Sequence, residues 1–161
     1  MANNYTQFSE SIGELTQDEQ KWIRDALNHG GIVFQRFVDQ LTKEEDESAE
    51  TFPEFDWSIG PHSKWDEGRG RYEDTKLGEL WLRSADSCDL NHVALFVQAF
   101  LTTWRPRTFF SLTWADTCDK LRVGEFSGGA VFITAERAEL HSVGEWVQQK
   151  KEAFEKEHAN G

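Results

Sequence analysis

The fold is decided by the stretch DLNHVALFVQAFLTTWRPRTFFSLTWADT, residues 89–117. Its first half has apolar side chains at i, i+3 and i+4 spacing, which predicts a helix with one buried face: Val93, Phe96, Val97, Phe100, Leu101 and Trp104. Asp89 or Asn91 is placed to cap this helix, and Pro106 closes it. Phe109 to Thr117 is rich in aromatic, Thr and Ser residues, which predicts a strand.

Alternating apolar and polar residues predict three more strands, at 55–59, 79–85 and 130–135. In the second of these, Leu80 and Leu82 alternate with Trp81 and Arg83. Glycines at 124, 128 and 129 predict the turn or bulge that lets the last two strands pair.

Helix-start signals predict helices at both ends of the chain. Thr16 and Glu19 have the T-x-x-E spacing of a capping box, and Ser142 and Glu145 repeat that spacing before a C-terminal helix. A further helical face follows the first helix, at Phe34, Phe37, Val38 and Leu41. The predicted fold is therefore α+β, a roughly four-stranded antiparallel sheet packed by helices, in the order α(α)-β-β-α-β-β-α.

A chain of 161 residues is the size of one ordinary domain, so residues 1–161 are predicted to form a single α+β domain. Polar and Gly-rich composition predicts flexible loops at 44–53 and 61–72, and the charged end predicts a frayed C-terminus at 155–161.

The formal net charge of −12 predicts repulsion from nucleic-acid phosphates and from anionic membranes. The sequence contains no apolar run of the roughly 18 residues that a membrane helix needs. We therefore expect no direct nucleic-acid binding, no membrane insertion and a cytoplasmic location. Two cysteines, Cys88 and Cys118, are too few for a disulfide framework in a chain of this length and are expected to be free thiols.

The strongest functional signal is a run of acids before the first predicted strand. Its candidate partner-binding residues are Glu44, Glu45, Asp46, Glu47, Glu50 and Glu54. Trp65 and Tyr72 nearby are candidate apolar anchors, because Trp and Tyr are enriched among the residues that dominate protein interfaces. Together they predict binding to a basic protein surface, one that in another context holds nucleic acid, because a row of carboxylates competes for the same Lys and Arg side chains.

Two alternatives remain open. The first is a small enzyme or small-molecule binder with a site in the 116–129 loop, formed by Asp116, Cys118, Glu125 and His141. Acids around Cys118 disfavour a reactive thiolate, and no known metal-ligand, phosphate-binding or catalytic spacing is present, so no catalytic residue, metal or cofactor is predicted. The second is a scaffold that dimerises through the aromatic helix at 91–104.

One segment carries a resemblance: FSLTWADTC at 110–118, followed by RVGEFSGGAVFITA at 122–135. It resembles a group of small uncharacterised proteins of bacteria, phages and plasmids, and LTQDE at 15–19 is similar too. The resemblance implies no activity and no site residues. It does imply a mobile-element context, in which small acidic proteins act as inhibitors of host defence. The expectation from the sequence is therefore an acidic protein–protein interaction module, acting as an inhibitor that mimics nucleic acid.

Overall fold

The computed structural model describes residues 3–28 and 55–159. These residues form β1 (Asn4–Leu15), α1 (Gln17–Asn28), β2 (Asp56–Asp66), β3 (Arg71–Ser84), α2 (Leu90–Trp104), β4 (Phe109–Cys118), β5 (Ser127–Thr134), β6 (Ala138–Ser142) and α3 (Val143–His158). The predicted loop at 44–53 and the predicted helical face at Phe34–Leu41 lie outside the described residues.

The strands form one antiparallel sheet in the order β2-β3-β1-β4-β5-β6. The α+β class and the antiparallel sheet are confirmed, but the expectation of about four strands is wrong, because the sheet has six. β1 and β6 were missed. In β1, the polar Glu10 occupies the position opposite the buried Leu82 and so interrupts the apolar alternation. In β6, only Ala138 and Leu140 are apolar.

The core lies between one face of this sheet and the helices α1 and α2. Alternate strand residues point into it, among them Phe8, Ile12, Leu80, Leu82, Phe110, Leu112, Val131 and Ile133. The apolar stripe of α2 packs onto them, and Phe96, Val97 and Phe100 are fully buried. The dimerisation alternative is therefore wrong for this helix, because its aromatic face is already occupied by the core.

The start of α1 is the capping box that the sequence predicts. The backbone N–H of Thr16 donates to Glu19 Oε2 at 2.7 Å, and the backbone N–H of Glu19 donates to Thr16 Oγ1 at 3.3 Å. At α2, the carboxylate of Asp89 accepts a hydrogen bond from the backbone N–H of Asn91 at 2.8 Å. Both helices therefore begin where local side-chain chemistry predicts.

The predicted loop at 61–72 is wrong, because β2 runs to Asp66 and β3 begins at Arg71. These strands form a long hairpin, and the turn between them ends at Gly70, whose φ of 62° suits a residue without a Cβ. Residues 62–66 and 71–75 are mostly polar, so apolar alternation does not predict these parts of the hairpin. Their backbone pairing does not require apolar burial.

The C-terminal helix differs from expectation in two ways. Its N-cap is Ser142, but the Ser142 side chain makes no capping hydrogen bond, so the second predicted capping box does not form. The helix continues to His158, where the imidazole stacks on Phe154 at 4.0 Å between ring centres, so residues 155–158 of the segment predicted to fray are helical, and residues 160–161 lie outside the described residues. No helix of the described ranges is long and apolar enough to cross a membrane.

Candidate functional site

The sheet face opposite the core exposes aromatic and hydroxyl side chains. Register places Ser11, Trp81 and Ser58 side by side on three neighbouring strands. Trp81 is 46% exposed, and an aromatic side chain that is accessible beside hydroxyl groups can contribute to a binding surface. This face is therefore the first place to look for a binding site.

A groove of about 520 Å³ opens around Trp81 on this face, and we call it the Trp81 groove. It is lined by Ser9, Glu10, Ser11, Ser58, Gly60, Pro61, Glu79 and Trp81, from β1, β2 and β3. On the open face this lining combines one large aromatic surface, three hydroxyl groups and the carboxylate of Glu79. A small number of polar groups that converge on an apolar surface is the usual composition of a binding site.

The indole of Trp81 is held in place by its neighbours. Its Nε1–H donates to Ser9 Oγ at 2.8 Å, and the guanidinium of Arg83 lies 4.0 Å from the ring centre. Arg83 Nη1 in turn donates to Ser58 Oγ at 3.0 Å. Because side chains from three strands fix the ring, binding would cost little conformational entropy at Trp81.

The acidic side chain beside the indole is Glu79. Glu10 also lines the groove, but it lies opposite Leu82 and strand alternation directs its side chain to the core face. The neighbouring cation, Arg83, is engaged with Trp81 and Ser58. The carboxylate of Glu79 lies 3.6 Å from Nδ1 of His62, a side chain on β2 that is 18% exposed. A carboxylate beside an aromatic surface can attract a cationic group.

A second aromatic pair lies farther along the same sheet. Phe109 on β4 and Phe132 on β5 stack with 5.1 Å between ring centres, and both are exposed. Register pairs Ser111 with Phe132, and Ser111 is also exposed. The open face therefore has apolar surface on both sides of β1.

The predicted acidic site residues, Glu44, Glu45, Asp46, Glu47, Glu50 and Glu54, lie outside the described residues. The predicted anchors Trp65 and Tyr72 lie directly opposite each other near the tip of the β2–β3 hairpin. Their rings meet edge to face at 5.1 Å, and they are 50% and 71% exposed. Such a cross-strand pair stabilises the hairpin and still presents aromatic surface to a partner.

The alternative site is brought together only in part. Cys118 Sγ and Glu125 Oε2 are 2.9 Å apart, while Asp116 accepts hydrogen bonds from Thr6 Oγ1 and Trp114 Nε1. His141 pairs with Ala130 in the sheet, and strand alternation places it on the face opposite Asp116, which pairs with Ser127. The four residues therefore do not converge on one substrate position.

The chemistry of Cys118 also argues against a nucleophile. A hydrogen bond to the carboxylate of Glu125 raises the pKa of the Cys118 thiol above its ordinary value. The direction agrees with the expectation from the surrounding acids, but the main cause is Glu125, and Asp119 adds only a minor effect. A thiol that stays protonated at neutral pH is a poor nucleophile.

Sequence patterns contained a signal for the Trp81 groove. The alternation that predicts β3 already places Trp81 and Arg83 on the outward face. The groove itself was missed because one wall belongs to β1, a strand that no sequence pattern predicts. Ser9 and Ser11 are more than 65 positions before Trp81, so only sheet pairing joins them.

Among residues 3–28 and 55–159, no three His, Cys, Asp or Glu side chains are grouped so that they could hold a metal ion. No protein-family model, no curated protein and no solved structure matches the chain.

Proposed function

We propose that the protein is an acidic protein–protein interaction module whose Trp81 groove binds a basic segment of a partner protein. The observation that carries this proposal is the exposed indole of Trp81, which is fixed by side chains from three strands and has the carboxylate of Glu79 beside it. The expected occupant is an arginine-bearing segment that lies across the open sheet face.

The aromatic part of the site supplies affinity. Trp and Tyr are enriched among interface residues whose truncation costs about 2 kcal/mol or more. An arginine side chain is a good match for such a surface, because its planar guanidinium stacks on aromatic rings and its methylene stem covers apolar area. Trp81 already accepts one guanidinium in this way, that of Arg83, at 4.0 Å.

The acidic part of the site supplies attraction and selectivity. Glu79 lies beside the indole, and the whole chain carries a formal net charge of −12. Opposite charge speeds encounter and rejects anionic competitors, an effect that salt weakens. In sequence, the acidic residues 44–54 directly precede β2, the strand that provides Ser58 and Gly60 of the groove.

A defined probe tests the proposal: a soluble peptide of about eight arginines, because arginine keeps its charge at all relevant pH values. The indole N–H resonance of Trp81, assigned with a Trp81→Phe variant, reports binding at the groove in a two-dimensional NMR titration. We expect this resonance to shift on addition of peptide, and the shift to weaken as salt is raised.

Matched variants separate site binding from general attraction to an acidic protein. Trp81→Ala is expected to weaken binding roughly tenfold or more, as for an interface anchor, and Glu79→Gln to weaken it severalfold. Trp146→Ala removes a similarly exposed tryptophan and Glu152→Gln removes an exposed acid, both on α3. If each control weakened binding as much as its groove counterpart, the peptide would be held by overall charge alone and the proposal would be wrong.

A further inference from the structure

His62 lies next to the Trp81 groove, with its imidazole close to the carboxylate of Glu79. Its Nδ1 is buried and has no hydrogen-bond partner, and the nearest carboxylate oxygen is Glu79 Oε2, at 3.6 Å. A buried polar nitrogen without a partner is uncommon and costs free energy. Protonation of His62 would turn this nitrogen into a charged donor aimed at Glu79.

The surroundings of His62 make Glu79 its ionic partner. On β1, Gly13 packs against the imidazole, where a Cβ would lie 3.1 Å from a ring carbon, so no side chain intervenes there. The charged residues at neighbouring positions are Glu14 on β1, Lys64 on β2, and Asp74, Lys76 and Glu79 on β3. Of the three acids among them, Asp74 accepts a hydrogen bond from Ser63, and Glu79 is the one with a carboxylate oxygen within 4 Å of the imidazole.

We infer that His62 makes the Trp81 groove pH-sensitive: its protonation pairs Glu79 internally and weakens the hold of the groove on a cationic segment. This inference rests on the proposed function, because it regulates the same site. The mechanism is competition, since one carboxylate cannot give its full attraction to both an imidazolium and an incoming guanidinium. His62 does not touch the ligand and acts through Glu79, as a positioning residue.

Linkage makes the coupling reciprocal. If protonation of His62 weakens binding, then a bound cationic segment must oppose that protonation by the same free energy. NMR observation of the His62 imidazole carbon-bound protons, with and without the arginine peptide, measures this directly. A merely structural role for His62 would not change its titration when peptide is added.

The main experiment follows binding of the arginine peptide from about pH 8 to about pH 5.5, the range in which histidine titrates and arginine does not. We expect wild-type affinity to fall roughly threefold over this range, the scale of one partly exposed ion pair. His62→Gln should bind at pH 8 like the wild type and lose the pH dependence. Glu79→Gln should bind more weakly at pH 8 and also show little pH dependence.

His141→Gln is the control, because His141 is an exposed imidazole on β6 and should leave the pH dependence unchanged. Binding that is localised to Trp81 but is equally strong at both pH values would overturn this inference and leave the proposed function standing. So would a pH dependence that survives in His62→Gln. Absence of peptide binding at the groove at every pH would overturn both.

Discussion

The guanidinium of Arg105 holds the carboxylate of Glu19 through two hydrogen bonds, 2.8 Å from Nε to Oε1 and 3.2 Å from Nη2 to Oε2. It also donates to the backbone carbonyl groups of Gly13 and Glu14, both at 3.1 Å. Arg105 follows α2, Glu19 lies in the first turn of α1, and the two carbonyls belong to β1. One side chain therefore joins the two core helices to the central strand that forms a wall of the Trp81 groove.

Arg105→Ala is expected to lower the free energy of unfolding by about 3 kcal/mol, because it leaves the buried Glu19 carboxylate without its charged partner. Arg105→Lys should cost less than Ala but remain destabilising, since an ammonium cannot form the two-point contact. Urea denaturation at neutral pH measures both. Arg71→Ala removes a guanidinium from an exposed pair with Glu73 and should cost less than about 1 kcal/mol. Equal costs for the two alanine variants would contradict the special role of Arg105.

Stability should fall in acid through Glu19. Burial by itself would raise the pKa of the Glu19 carboxyl, but hydrogen bonds from Arg105 and Thr16 outweigh burial and hold the pKa below its ordinary value. The contribution of Glu19 to stability is therefore complete above the ordinary glutamate value of about 4.3 and is lost as the pH falls through the lower folded-state value.

Urea denaturation of wild type and Glu19→Gln between about pH 6 and about pH 3 checks this expectation. The wild type should lose more stability over that range than Glu19→Gln, because glutamine has no carboxyl to protonate. Parallel losses in the two proteins would show that Glu19 does not titrate differently on folding.

The two predicted capping boxes should respond differently to mutation. Thr16→Ala removes the acceptor of the Glu19 N–H bond and is expected to cost about 1 kcal/mol. Ser142→Ala removes a side chain that makes no capping bond at α3, so a change within about 0.5 kcal/mol is expected. Thermal and urea denaturation compare the pair, and a larger cost for Ser142→Ala would contradict the described geometry.

Alkylation of Cys118 should be slow near neutral pH, because Glu125 raises the pKa of the thiol and reduces the thiolate fraction. Glu125→Gln should accelerate alkylation by iodoacetamide at about pH 8, and Asp119→Asn should accelerate it less. Peptide mass spectrometry after timed labelling follows Cys118 separately from Cys88. If the Asp119 variant reacted faster than the Glu125 variant, the assigned cause of the raised pKa would be wrong.

Much of this fold could be predicted from sequence signals between residues that are close in the chain. Thr16 and Glu19 cap α1 through contacts three residues apart, and the α2 stripe from Val93 to Leu101 is an i, i+3, i+4 pattern. The cores of β4 and β5 are likewise dense in aromatic and branched residues. Such signals arise from residues close in sequence, so they can be recognised without knowledge of the tertiary contacts.

The remaining features depend on distant partners. β1 has the inward-facing Glu10 and an irregular register between Ile12 and Leu15, with Glu14 in the left-handed region at φ 56°, so its pattern is not that of a regular strand. It is a strand because β3 and β4 pair with its two sides. The β2–β3 hairpin beyond Pro61 is likewise held by its register rather than by apolar burial.

By itself the sequence determined the α+β class, the two core helices and the excess of negative charge, because composition and short-range periodicity are local properties. Only the tertiary structure decided that Trp81 shares a groove with Ser9 and Ser58, and that His62 faces Glu79. The physical reason is that strand pairing brings together residues far apart in the chain, and the register of that pairing selects which side chains share the open face.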